Sequence, residues 1–368
     1  MGAGSRSRYS ADVTFRDEGS GLDAGATSPA GRATGAKHGE ELASARLLGY
    51  DVPRALCSPE VERDAILSSA GFLHAPWERV LEVQGPDAAS FLHVLLTQHV
   101  KGVAVGGTVR AALANRKGHL EADLTLHRAD ELRFLLRLPS IAKERVGSVL
   151  ESHRILEDVS FRWLHEDPDA FLVVGPEASR IASLVVPNAE SAGAALVMRA
   201  DEIGHGDALV TFERSRREEV EAQLREHGAT PIGWGAFDRR RIERGRAWFG
   251  IDADEERLVP EPGFDDRIHY DKGCYLGQEP LARLHFRGKP NWELVRLRGT
   301  THREPTPGAS LQDGENERVG WLTSVSHTED GSVALGYLHR RFRESGADFV
   351  STPDGVRFIW ERLVDSDA

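Results

Sequence analysis

A thiol flanked by a lysine and two glycines is the first place in this chain where chemistry could occur. In "DKGCYLGQE" (residues 271–279) Lys272 stands two positions before Cys274, one of two cysteines in 368 residues. The thiolate is the reactive form of cysteine, and nearby positive charge or a helix N-terminus favours it. Lys272 supplies the first, and "GQEPLARL" can begin a helix just after the thiol, with Pro280 tolerated in its first turn. Gly273 and Gly277 permit positive φ or the close approach of a ligand to the backbone, while Gln278 and Glu279 add polar groups. Downstream, "ARLHFRGK" carries Arg283, His285, Arg287 and Lys289, a basic cluster able to meet carboxylates or phosphates. These residues alone leave three readings of Cys274 open: a nucleophile, a metal ligand straddled by His269 and His285, or a small residue in a shaped turn. No second cysteine stands nearby to complete a ligand set, so no metal site is expected.

Composition narrows the classes. A formal net charge of −12 argues against a broad face that neutralises nucleic-acid phosphates, although "RSRRE" (214–218) and "DRRRIERGR" (238–246) could make a local basic pocket. Hydrophobic residues make up 40% and charged residues 28%, and no apolar run approaches a membrane span, so no membrane partner is expected. Cys57 and Cys274 lie far apart, which suits a reducing, cytoplasmic setting better than a disulfide framework. Residues 1–45 are rich in Gly, Ser, Ala and charge, and are expected to be a disordered tail.

The elements that must position the thiol follow from periodicity. "ERVLEVQG" (78–85) reads as a strand, with Asp87 placed to cap a helix whose Phe91, Leu92, Leu95 and Leu96 recur at helical spacing. Residues 108–139 read as a three-stranded meander turning at Lys117-Gly118 and Asp130-Glu131, followed by a helix with Ser140 as its expected N-cap. A second round starts at "AFLVVG" (170–175) and runs through "RSRREEVEAQLREHG", with Gly228 as a helix C-cap. From Trp292 onward short strands and Gly-containing turns predict a small β-barrel. The expected class is α+β, with lobes at 46–165 and 166–290 and the barrel at 291–368.

"KGCYLGQEPLARLHFRG" (272–288) resembles the signature K-G-C-[FYW]-x-G-Q-E, followed by A-R and R-G, of the YgfZ-like folate-binding proteins, relatives of the glycine-cleavage T-protein, an aminomethyltransferase. The matching positions are Lys272, Gly273, Cys274, Tyr275, Gly277, Gln278, Glu279, Ala282, Arg283, Arg287 and Gly288. "VLEVQGPDAASFLHVLLTQHV", "LANRKGHLEADLTL", "RRRIERGRAWFGID" and "VGWLTSV" are similar to further family segments in the same order, covering roughly residues 60 to 364. The resemblance implies a three-lobed cloverleaf around a central folate-binding hole, with tetrahydrofolate or a one-carbon derivative as cofactor. It implies an accessory role in iron-sulfur cluster assembly or repair, with iron-sulfur proteins as partners and an indirect effect on tRNA modification. It also implies Cys274 at the chemistry with Lys272 activating it, Trp77 and Phe237 stacking on the pterin, and Arg241, Glu243 and Asp123 contacting folate. The alternative is a folate-dependent aminomethyl- or methyltransferase, and a third reading is a binding module without catalysis. Two departures count against transfer: the T-protein's paired acids appear as Ala122-Asp123, and its pterin-binding Glu segment appears as "IGHGDALV" (203–210) without a Glu.

Overall fold

The computed structural model describes residues 44–186, 195–204, 206–300, 305–328 and 331–363. The expected disorder of residues 1–45 therefore lies outside the described residues, apart from Ser44 and Ala45, which open the strand Ser44–Leu47 paired with Tyr50–Pro53. No helix among the described residues is long and apolar enough to cross a membrane.

The meander forms as its alternation predicts. Thr108–Ala114, Leu120–Arg128 and Arg133–Pro139 pair antiparallel, and Glu78–Gln84 and then Ser160–Trp163 extend the same five-stranded sheet. Its first turn is local chemistry: the Asn115 side-chain oxygen accepts from the Lys117 and His119 amides, and Gly118 takes φ +79°. Two expected caps differ. Asp87 makes no cap bond to the helix Ala88–Leu95; its carboxylate accepts from the Asp158 amide at 2.9 Å and ties the helix start to the loop before Ser160–Trp163. Ser140 opens a short 3₁₀ turn, Ser140–Ala142, its amide bonded to the Trp77 carbonyl, and the α-helix begins at Lys143. Gly228, at φ +93°, does follow the helix Arg217–Glu226.

The second five-stranded sheet runs in the order Leu196–Arg199, Ala208–Glu213, Pro168–Val174, Gly71–His74, Thr230–Pro231, with only the last pair parallel. Gly71–His74, which sequence assigned to the first lobe, thus sits inside the second sheet. The two sheets are not successive blocks of chain, and one apolar core takes Val80 and Leu135 from the first together with Leu172 and Leu209 from the second. Beyond them a closed six-stranded barrel (Trp292–Gly299, Gly331–His339, Arg318–Thr328, Ser310–Gln312, Phe349–Ser351, Arg357–Arg362) leaves no unpaired strand edge. The whole is a mixed α/β fold ending in a barrel.

Arg241, on the helix Trp234–Glu243, is the joint between these parts. At 1% exposure it donates to Asp238 (2.8 Å), to Asp252 (2.6 Å) and to the barrel's Ser324 (2.8 Å). Asp252 in turn accepts from Thr323 and Ser324. Removing one member of such a buried set strands the others without a partner. Arg241→Ala is expected to cost about 3–5 kcal/mol in urea unfolding, against less than about 1 kcal/mol for Arg239→Ala, whose ion pair with Glu243 lies at the surface.

Candidate functional site

Strand alternation puts charge on one face of the first sheet. Arg110 pairs across with Thr125, Thr125 with Arg137, and Arg137 with Val80. Asp123 and Glu78 stand two positions from Thr125 and Val80, on the same face. This face, Glu202 from the second sheet's loop, and Ala247-Trp248-Phe249 line a cleft with about 410 Å³ of empty space, counted out to its open mouth. Glu78, Arg110, Asp123, Arg137 and Glu202, five of its twelve lining residues, are charged and stand among aliphatic and aromatic walls, which suits a small polar ligand.

The charges alternate along a chain of contacts. Arg137 grips Glu78 with two donors (2.7 and 2.8 Å) and Glu202 with a third (2.6 Å). The far oxygen of Glu202 lies 3.5 Å from Arg110, which is 3.9 Å from Asp123. Asp123 accepts from Arg267 at 3.0 Å, and Arg267 also donates to Asp266. Burial alone would raise the Glu202 carboxyl, but Arg137 and then Arg110 hold it below the usual carboxylate range, so it is ionised at neutral pH. Arg110 is pulled down by burial and by the like charge of Arg267, with Glu202 and Asp123 only partly offsetting this. Its Nε is buried without a hydrogen-bond partner, an orphan donor at the cleft. Glu202 is held in place by its loop, where the Asp207 carboxylate accepts from the amides of Ile203, Gly204 and Gly175. Burial pushes Asp207 up to about 6.

Only one of the expected folate contacts lies in this cleft. Asp123 does, mid-strand and clamped by Arg267. Trp77 and Phe237 do not: both are fully buried, packed edge-to-face or tilted against Trp234 and Trp248 at ring separations of 5.3–6.3 Å. They stand behind Trp248, which itself lines the cleft. Arg241 belongs to the barrel joint, and Glu243 pairs with Arg239 and Arg240 on the helix surface. The sequence reading missed Glu78, Arg110, Arg137, Arg267 and Trp248. The signal for the first three was a charged residue on the buried face of an otherwise apolar strand. Glu202 was missed by one residue, since the compared segment began at 203.

The motif lies on a neighbouring stretch of chain. The His269 amide bonds to the Thr97 carbonyl and the Leu276 amide to the Val94 carbonyl, so residues 269–276 run along 94–97. Between them Lys272, 5% exposed, drives its ammonium into a cage of carbonyls from His93, Leu96 (2.5 Å) and Gln98 (2.8 Å). These sit at the end of the helix Ala88–Leu95, whose dipole favours a cation there. Lys272 therefore anchors the loop with its ammonium bonded to three carbonyls, and Cys274 is exposed. Burial pulls the lysine down to about 7, while the three carbonyls and the helix end favour the charged form. Gly277 has φ +80°, and a Cβ there would meet the Asn115 carbonyl oxygen at 2.4 Å; at Gly273 a Cβ would meet nothing, so no close approach requires that glycine. Tyr275 is buried under the Lys272 ammonium. Gln278 opens the helix Gln278–Arg287, which carries Glu279, Arg283 and Arg287 exposed on its surface and ends at Gly288.

Two outcomes follow from the cage. Lys272→Met takes the ammonium donor from the His93, Leu96 and Gln98 carbonyls, of which Gln98 keeps the Val100 amide, and is expected to cost about 1–3 kcal/mol in urea unfolding. Beside it, burial, then the Lys272 ammonium and His99, pull His93 from 6.5 down to about 4. The unfolded chain then takes up a proton below pH 6.5 that the folded chain refuses until pH 4, so stability is lost as pH falls through that window. His93→Gln should flatten this part of the stability–pH profile.

Residues 31–216 match the family described as the GCVT N-terminal domain. The chain is similar to the aminomethyltransferase of Methylococcus capsulatus, 28% identical over 86% of this chain and 88% of that one. It is likewise similar to the aminomethyltransferase of Rubrobacter xylanophilus, 27% identical over 79% and 82%. The crystal structure of the glycine cleavage system aminomethyltransferase T from Bartonella henselae superposes on 87% of this chain with a TM-score of 0.75, at 20% identity and 92% coverage of its own length, which shows the shared fold. The family match spans half of the chain, and the protein belongs to the GCVT N-terminal domain family.

Proposed function

We propose that this protein binds tetrahydrofolate in the ionic cleft and acts as a folate-dependent aminomethyl- or methyltransferase. The observation that carries this reading is the ionised Glu202 held beside Trp248 in a chain that is similar to aminomethyltransferases over most of their length. The cleft's residues fit the group: a reduced pterin has a flat body, an edge rich in N–H donors and a carboxylate tail. Trp248 and Phe249 would cover the body, Glu202 would accept from the edge, and the unpartnered Arg110 Nε would meet an acceptor. Tetrahydrofolate, when bound, supplies the nitrogen that carries the one-carbon unit. Asp123, already bonded to Arg267, serves to orient a donor group of the ligand and not as a free base.

One departure that had counted against transfer loses its weight. Ala122 is fully buried on the opposite face of the strand from Asp123, in the apolar core. A second carboxylate at 122 would lie outside the cleft, so its absence does not empty the site. The cloverleaf arrangement around a folate hole and a cytoplasmic setting belong to the same reading. The iron-sulfur accessory role, YgfZ-like and reached through partner iron-sulfur proteins, is the second reading and rests on the exposed Cys274 within its intact motif.

A tetrahydrofolate titration followed by tryptophan fluorescence tests the first. Saturable quenching is expected, with affinity reduced about tenfold or more in Glu202→Gln and unchanged in Cys274→Ser. Absence of saturable binding to the wild-type chain would sink it.

A further inference from the structure

Three guanidiniums stand along the cleft, and only two of them donate hydrogen bonds. Arg137 donates to Glu78 and Glu202, and Arg267 to Asp123 and Asp266. Arg110 lies between their acidic partners, its Nη2 3.5 Å from Glu202 Oε2 and 3.9 Å from Asp123 Oδ2. At those separations it is paired by charge and not by hydrogen bonds. Among the described residues its side chain donates no hydrogen bond, and its Nε is buried without a partner. The acceptors beside it are open as well. Glu202 uses Oε1 for Arg137, which leaves Oε2 without a donor among the described residues, and Asp123 Oδ2 receives only a 3.5 Å contact from Arg267. All three side chains are partly exposed on the cleft wall. Along the row Glu202, Arg110, Asp123 the order is therefore acceptor, donor, acceptor.

What can face this row follows from its charges. An anion on Arg110 would stand between two carboxylates, and Glu202 is held ionised, so the group that meets Arg110 is an uncharged acceptor. The groups on either side of it must donate. Trp248 and Phe249 in the same cleft favour a flat ring. We propose that Arg110 is the specificity-determining residue of the cleft, recognising the edge of a flat heterocycle on which an uncharged ring acceptor stands between two N–H donors. Where it names the ring, the proposal rests on the folate reading of the cleft: a reduced pterin carries this order at its N8–H, its N1 and its 2-amino group. In a fully oxidised pterin N8 has no hydrogen and would bring a second acceptor against a carboxylate. Two acceptors facing each other in a partly buried site lose a hydrogen bond on both sides, so the same row turns the oxidised form away.

The test uses the full chain and two small probes of identical composition. In 2,6-diaminopyridine the ring nitrogen lies between the amino groups, and in 3,5-diaminopyridine it lies on the far side of the ring. Binding is followed by ligand NMR at a pH where both rings are uncharged. The wild-type chain is expected to bind the 2,6 isomer about tenfold or more tightly than the 3,5 isomer, and Arg110→Met to bind the two equally. A role for Arg110 in stability alone would weaken both isomers together and leave their ratio unchanged. Equal binding of the isomers to the wild-type chain, binding of neither, or a preference that survives Arg110→Met overturns the proposal. The wild-type comparison needs no variant, so it decides for or against the row even where Arg110→Met fails to fold. Tetrahydrofolate and folic acid, titrated in parallel, keep the two readings apart. A preference for the 2,6 isomer without saturable tetrahydrofolate binding overturns the folate reading and leaves the row standing. Tetrahydrofolate binding without an isomer preference does the reverse, and tetrahydrofolate bound no more tightly than folic acid overturns the assignment of the row to the pterin edge.

Discussion

The alternating contact chain Glu78, Arg137, Glu202, Arg110, Asp123, Arg267 is the constraint on which the rest of the structure depends. Charges taken out of water are tolerated only when each meets its opposite at hydrogen-bonding range. The chain draws one member from each of four strands or loops of the first sheet's face, one from the second sheet's loop and one from the segment leading to the motif. Removing an interior link takes from each neighbour one of its two opposite charges, as loss of Glu202 would leave Arg137 with Glu78 alone and Arg110 with Asp123 alone. The two sheets and the segment leading to the motif are therefore held in register by the same groups that shape the cleft, and stability and ligand recognition compete for one set of side chains. The cleft can be polar and ionised at neutral pH because Arg137 and then Arg110 offset what burial costs the Glu202 carboxylate.

The motif solves a different problem. A loop carrying an exposed thiol needs fixed placement without a regular element to supply it. Lys272 provides this by spending its three donors on the His93 and Leu96 carbonyls at the end of the helix Ala88–Leu95 and on the Gln98 carbonyl just beyond it. Gly277 then lets the chain turn tightly against Asn115 before the helix Gln278–Arg287 begins. Lys272 and Gly277 thus have roles in backbone geometry, the first as an anchor and the second as a turn.

The legible parts of this protein were those with a local cause. The meander, the barrel and the motif helix are written in alternation, glycine placement and helical spacing. Asp123 was found because it lies within such a strand. Trp77 and Phe237 lie outside the cleft, in the aromatic cluster behind Trp248, and aromatic type alone does not distinguish a ring that lines a cleft from one that supports it. Arg241 was misplaced because a helical Arg-Glu spacing carries no information about the barrel residue Ser324 that it meets 83 positions later. The ionic cleft was hidden because its members come from positions 78 to 267, and only the sheet registers bring them into one row. Gly71–His74 joined the second sheet through pairing with Pro168–Val174, a long-range choice that no short window encodes.

The central claim is that one ligand, a reduced folate, occupies the space bounded by Glu202, Trp248 and Asp123. A crystal structure of the chain grown with saturating tetrahydrofolate tests it most directly. Density for the pterin ring against Trp248, with its donor edge at Glu202, is the predicted result. Density at a different surface, or an empty cleft with its Arg137–Glu202 pairing unchanged, would contradict it.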